Sequence, residues 1–201
     1  MGGCTGLLSF GPMSFEQWSP YLRARFFMAF KRYELAIEGF QASLAANPGF
    51  GRAAANLAYA YAMLGKDDLA VRYFEQATRD EPGNPAAFFD LGFVLDRQGR
   101  KEEAIAAFEH AVRLKPTLDR AWYGMGLAHA VLGRHDKAAE ALGRAAELQP
   151  MNPYAWYNLG MAHFTLGEQG KLEEAHRHLA RFDTKMAKKL AQDAGLPSGI
   201  E

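Results

Sequence analysis

An all-α solenoid of stacked helix pairs is the fold class this sequence predicts, and three observations predict it. Prolines recur every 34 residues, at Pro48, Pro82, Pro116 and Pro150. Glycines keep the same interval at Gly65, Gly99, Gly133 and Gly167, and alanines keep it at Ala36, Ala70, Ala104 and Ala138. A bulky apolar residue follows each alanine by four positions (Phe40, Phe74, Phe108, Leu142), and a small one comes three later (Ser43, Ala77, Ala111, Ala145). Columns held in phase over four copies mark an array in which each unit buries its apolar face against its neighbours.

Residues 1–16 read as an N-terminal extension, and the first copy spans 17–50. Its first helix is degenerate, because Pro20, Arg23 and Ala24 stand where an aromatic, a leucine and a glycine are usual. The copies at 51–84, 85–118 and 119–152 are regular. Their first halves carry apolar residues such as Phe88, Leu91, Gly92 and Leu95, or Trp122, Met125, Gly126 and His129, on one helix face. Glycine then ends the helix, since it accepts the left-handed conformation. Ala104, Phe108 and Ala111 mark the second amphipathic helix, and proline closes it. Small residues at Gly92 and Ala104 let the two helices approach while Phe108 fills the space beside them. In the fifth copy, 153–186, Glu168-Gln169-Gly170 read as three inserted residues that move the alanine and its bulky partner to Ala175 and Leu179. No proline closes this copy, so its second helix is expected to run on to about Ala194 as a solubilising cap, with residues 187–201 its end and tail.

The 201-residue chain is 49% hydrophobic, enough for a substantial core. Lys plus Arg number 23, as do Asp plus Glu, and that balance argues against nucleic acid as a partner. The single cysteine, Cys4, excludes an internal disulfide framework and a cysteine zinc site. No run of about 18 apolar residues suggests a membrane span, and the start lacks the pattern of a complete signal peptide. Gly2 and Cys4 suggest N-terminal lipidation only faintly, against a plain unmodified start. A cytoplasmic location follows, with membrane association only indirect or through the N-terminus.

The residues Trp122-x-x-Met125-Gly126-x-x-His129 with Ala138-x-x-x-Leu142 and Pro150, and Trp156-x-x-Leu159-Gly160, resemble the tetratricopeptide repeat. The resemblance covers more than four fifths of the chain. It implies a right-handed superhelix whose first helices line a concave face. Repeat positions two, five, nine and twelve then give the groove: Arg52, Tyr59, Phe89, Phe93, Arg120, Tyr123, Tyr154, Tyr157, Met161 and Phe164. Aromatic and arginine side chains on a preformed wall suit capture of a protein or peptide segment; the alternative is that they only pack adjacent repeats together. A related family clamps the C-terminal carboxylates of chaperone tails with basic residues and asparagines. Arg25 and Asn56 fit two such places. Ala86 and Asp90 do not fit the next, and although Asn158 again fits an asparagine place, Tyr123 and Leu127 precede it. The chain is therefore expected not to receive chaperone tails.

Leu172, Ala175, Leu179, Phe182, Met186 and Leu190 form an apolar stripe along the last helix, with Arg177, Arg181, Lys185 and Lys189 recurring every four residues. That basic stripe reads either as a docking surface for an acidic partner or as the solvated face of a cap. Leu7, Leu8, Phe10, Met13 and Phe15 are apolar for a terminus, and either cover the first repeat or enter the groove of a second copy.

No catalytic constellation emerges. His176 and His178 diverge on a helix, His129 and His163 are inward-facing, no glycine-rich phosphate loop or nucleophile elbow is present, and no metal or cofactor is expected. The function expected is a noncatalytic scaffold or adaptor holding a partner segment in the groove. The alternative is a self-assembling structural protein that homo-oligomerises through its N-terminal segment and coats a membrane or organelle, as similar repeat proteins do around magnetosomes. A small subunit of an RNA-processing or secretion machine is compatible with the fold and draws on no particular residue.

Overall fold

The computed structural model describes residues 15–196, which hold eleven α-helices and no strand. They divide into two compact units, one ending at Pro82 and the other beginning at Gly83. The apolar terminal residues Leu7, Leu8, Phe10 and Met13, and the lipidation candidates Gly2 and Cys4, lie outside the described residues.

The first unit contains α1 (Phe15–Ala29), α2 (Tyr33–Ala46), α3 (Gly51–Met63) and α4 (Asp67–Asp80), each packed on the next. Its core is built from the repeat columns: Ala36, Phe40, Ala53, Ala54, Leu57, Ala58, Ala70 and Phe74 are all buried. The degenerate first repeat solves close approach in its own way. Where the third to fifth copies place glycine in the first helix, this one has Ala24, and a glycine sits instead on α2. A Cβ on Gly39 would stand 2.8 Å from that of Ala24. Tyr21 supplies the aromatic body that Pro20 cannot, its ring lying 5.7 Å from Phe40 and 4.8 Å from Phe50. α1 already begins at Phe15, inside the stretch read from sequence as an extension.

The second unit contains α5 (Pro85–Arg97), α6 (Lys101–Leu114), α7 (Asp119–Val131), α8 (His135–Leu148), α9 (Pro153–Thr165), α10 (Gln169–Ala180) and α11 (Thr184–Ala194). Asn84 and Asn152 cap α5 and α9 by accepting from the amides two and three residues on. The Trp122 and Trp156 indoles each donate 2.9 Å to the carbonyl of the preceding Pro116 or Pro150, fixing the inter-repeat turn. Phe108 is wedged between two repeats: a Cβ on Gly92 would come within 2.7 Å of its ring, and one on Gly124 within 2.8 Å.

Two expectations are corrected at the C-terminal end. There is no insertion before α10, which begins two residues after Gly167 as α8 begins two after Gly133. Its buried positions, Leu172, Ala175, His176 and Leu179, repeat those of α8: Ala138, Ala141, Leu142 and Ala145. The bulky column therefore holds His176, and Ala175 and Leu179 are not displaced. Nor does one helix continue to Ala194. The chain breaks at 181–183, and Asp183 caps α11 by accepting 2.9 Å from the Met186 amide. α11 folds back on both α9 and α10, and Leu190, Ala187 and Ala194 join Leu172, Ala175 and Leu179 in one core. Of the expected stripe, Leu172, Ala175, Leu179 and Leu190 are buried by this fold-back, and Phe182 and Met186 are half-buried against the same core.

Candidate polypeptide-binding face

Each regular first helix buries one face and leaves the other to solvent. On α5 five residues that are at least partly open, Ala86, Phe89, Asp90, Phe93 and Arg97, are spaced three, one, three and four, so they form a single stripe. The same five columns are open on α7 (Arg120, Tyr123, Gly124, Leu127, Val131) and on α9 (Tyr154, Tyr157, Asn158, Met161, Thr165). In the first unit α3 repeats them with Arg52, Ala55, Asn56, Tyr59 and Met63.

Among the residues expected in the groove, Tyr59, Phe93, Tyr154 and Phe164 are exposed by 42%, 54%, 60% and 43%, large values for aromatic rings. Arg52 and Arg120 are exposed. Arg52 reaches Glu81, at 3.8 Å, and Arg120 lies over the Phe89 ring, 4.9 Å from its centroid. Phe89, Tyr123, Tyr157 and Met161 are half-buried. Tyr157 is engaged on two sides: its hydroxyl donates 2.6 Å to Asp193, and Lys189 lies over its ring at 4.9 Å. The hydrogen bond to Asp193 and burial push its ionisation up to about 12.

Sequence reasoning left the sixth repeat position out of the site, although it lies between groove residues in each stripe. Asn56 and Asn158 each donate 3.1 Å to a tyrosine hydroxyl 35 residues earlier, Tyr21 and Tyr123, and also to a carbonyl four residues earlier in their own helix. Their amides are thus already committed, which leaves them poorly placed to clamp a carboxylate. The signal in the sequence was that Tyr–Asn interval. Asp90 occupies the same position in the third repeat. Burial raises its carboxyl to about 6, against a smaller lowering by Arg120. The thirteenth position was missed as well: Met63, Arg97, Val131 and Thr165 are all exposed.

The basic stripe does not survive as one row on one helix. Arg177 belongs to α10, Arg181 to the break, and Lys185 and Lys189 to α11. Arg177 and Arg181 line a small cavity with Trp156, Glu174 and His178, the last stacked on Trp156 at 3.8 Å. Lys189 instead faces Tyr157.

Larger cavities, of 520 and 620 Å³, lie between first and second helices, on the side away from the stripes, and touch none of the stripe residues. His129 lines the first. It is buried, its Nδ1 has no partner among the described residues, and burial followed by Lys137 and Arg134 lowers its basicity. His163, one repeat on, bonds Glu168 at 2.6 Å, because Glu168 stands where Arg134 does in the preceding copy. Among the described residues no group of three or more His, Cys, Asp or Glu side chains could hold a metal ion. None of their helices is long and apolar enough to cross a membrane.

Residues 64–119 match the family described as tetratricopeptide repeat, and residues 131–167 match a second described as TPR repeat. The chain is a tetratricopeptide-repeat protein. Its fold is shared with YrrB, described as a TPR protein with an unusual peptide-binding site, at a TM-score of 0.77 and 22% identity over 88% of this chain and 90% of that one. MamA from Desulfovibrio magneticus RS-1 gives a TM-score of 0.75 at 20% identity, over 90% of this chain and 98% of that one. PilF of Pseudomonas aeruginosa gives 0.72 at 18%, over 89% and 84%. No curated protein matches the chain significantly. At these identities the likeness carries the tetratricopeptide fold alone.

Proposed function

We propose that this tetratricopeptide-repeat chain is a noncatalytic scaffold or adaptor that receives a segment of a partner protein on the open stripes of its first helices. One observation carries the reading: large aromatic rings stay well exposed at positions expected in the groove, Phe93, Tyr154 and Phe164 in the second unit and Tyr59 in the first. Rigid aromatic side chains bury much area on binding at a small entropic cost, and Arg52 and Arg120 add charge beside them. The peptide-binding site named for YrrB, on the same fold, supports the reading. The chain works in the cytoplasm, with any membrane association indirect.

The test is capture of peptides from a random octapeptide library with both ends blocked. The wild-type chain is expected to retain a defined subset, and the pair F93A and Y154A to lose it with helicity unchanged in circular dichroism. Equal retention by that double variant contradicts the site.

A second reading, self-assembly into a coat, draws on a different surface. Leu22, Phe26 and Phe30 follow one another at helical spacing from α1 and are exposed by 52%, 61% and 64%. Similarity to MamA is compatible with it. Light scattering on the chain alone separates the readings: large homogeneous particles that F26E and F30E dissolve favour the coat, and a monomer excludes it.

A further inference from the structure

Asp90 differs from every other residue at its repeat position. Asn56 and Asn158 donate to Tyr21 and Tyr123, and the fourth repeat has Gly124 at this position, with no side chain to donate or accept. A carboxylate accepts where those amides donate, so at Asp90 the position has changed its chemistry. Among the described residues nothing donates a hydrogen bond to Asp90, and Arg120, whose guanidinium lies over the Phe89 ring, acts on the carboxylate as a weaker charge influence opposed to burial. The carboxylate is partly withdrawn from water, and burial raises its pKa to about 6, so its charge destabilises the empty fold. It nevertheless belongs to the open stripe of α5, one turn from Phe93, whose exposed ring offers apolar surface to an aliphatic stem. A partly dry, undonated carboxylate flanked by aromatic rings is complementary to one class of group: a cation with N–H donors on an apolar arm.

We infer that Asp90 is the specificity-determining acceptor of the face, and that the partner segment presents an arginine or lysine side chain to it beside Phe89 and Phe93. This rests on the reading of the first-helix stripes as a polypeptide-binding face. It also assigns the partner's charge, which that reading leaves open. A basic group entering there supplies the donors that the position lacks in the free chain, and Arg120 disfavours it less than its proximity suggests because its guanidinium is held over Phe89. An acidic or carboxylate-ending segment is repelled by the same oxygen atoms.

The experiment uses the whole chain and the same blocked octapeptide library, with the retained peptides sequenced for wild type, Asp90→Asn and Asp90→Arg. Wild type is expected to enrich Arg and Lys roughly tenfold at one position, in line with a charge-assisted hydrogen bond. Asp90→Asn is expected to lose that enrichment while still retaining apolar peptides, and Asp90→Arg to reverse it toward Asp and Glu. Citrulline in place of arginine in a retained peptide should weaken binding to wild type and leave the Asn variant unchanged. If wild type retains peptides without basic enrichment, or Asp90→Asn keeps the enrichment, this inference is overturned and the binding face stands. If wild type retains no peptide at all, both fall together. Asp90→Asn preserves shape and removes an unfavourable charge, so misfolding does not confuse the comparison.

Discussion

Leu190 of α11 lies against Gly160 of α9, where a Cβ would stand 2.7 Å from its Cδ2. One repeat earlier, Leu142 of α8 holds the same relation to Gly126, at 2.6 Å from its Cγ. The fifth repeat has His176 in the column of Leu142, so the filling comes from the cap helix instead. Leu190 is fully buried. Its replacement by alanine should therefore cost about 3 kcal/mol, as for other buried leucines. In a repeat array that loss is local. Hydrogen exchange should show lost protection in α9, α10 and α11 with little change in α1 to α4.

Lys31 occupies the column of the left-handed glycines and adopts φ 56°, beside values of 70° at Gly65 and 78° at Gly99. A residue with a Cβ is strained there by about 1 kcal/mol. Lys31→Gly should raise stability by roughly that amount in urea denaturation. Lys31→Val, whose branched side chain tolerates the conformation least, should lower it.

Tyr157 and Asp193 tie the cap to the fifth repeat. The hydrogen bond needs the phenol proton, so the folded pKa of about 12 lies above the ordinary value of 10.0. Stability from this contact is complete below pH 10 and disappears as pH rises through about 12. Burial also raises Tyr61 and Tyr123, so phenolate absorbance should show several late tyrosines in wild type, and Asp193→Asn should bring one of them, Tyr157, back toward the ordinary range.

Asp90 gives a dependence of the same sign in a lower range of pH. Its folded pKa of about 6 exceeds the ordinary 3.8, so the native state holds its proton more tightly than the unfolded chain does. On α6 and α7, which pack on α5, Arg120 is the charged group acting on it. Stability should fall as pH rises from about 4 to 6 and stay reduced above that. Asp90→Asn should then raise the melting temperature at pH 7 and change it little at pH 4. The gain is about 3 kcal/mol at most, since each tenfold change in proton affinity between the folded and unfolded chain is worth about 1.4 kcal/mol. A residue that costs stability in the empty chain is the kind a binding face retains.

Helix limits were legible because glycine and proline mark them locally: the left-handed glycines from Gly65 to Gly167 and the prolines from Pro48 to Pro150 each act within a few residues. The break after α10 was not legible. Arg181-Phe182-Asp183 contains neither glycine nor proline, and the apolar spacing from Leu172 to Leu190 runs through it without interruption. The one local sign was Asp183 as an N-cap. What decides the break is long-range, namely the room beside Gly160 that Leu190 fills. That positions two, five and nine share an open face was readable from the helical period, whereas the sixth and thirteenth, on the same face, were left out. The isolation of Asp90 was not readable, because it depends on what neighbouring side chains donate.

The most direct measurement of the central claim is a map of backbone amide shifts on adding an octapeptide retained from the blocked library. The perturbed residues are expected to follow the open stripes, among them Phe89, Asp90, Phe93, Arg120, Tyr123, Tyr154 and Asn158. Perturbation confined to the residues around the cavities that hold His129 and His163, such as Val112, Glu140 and Lys171, would contradict it.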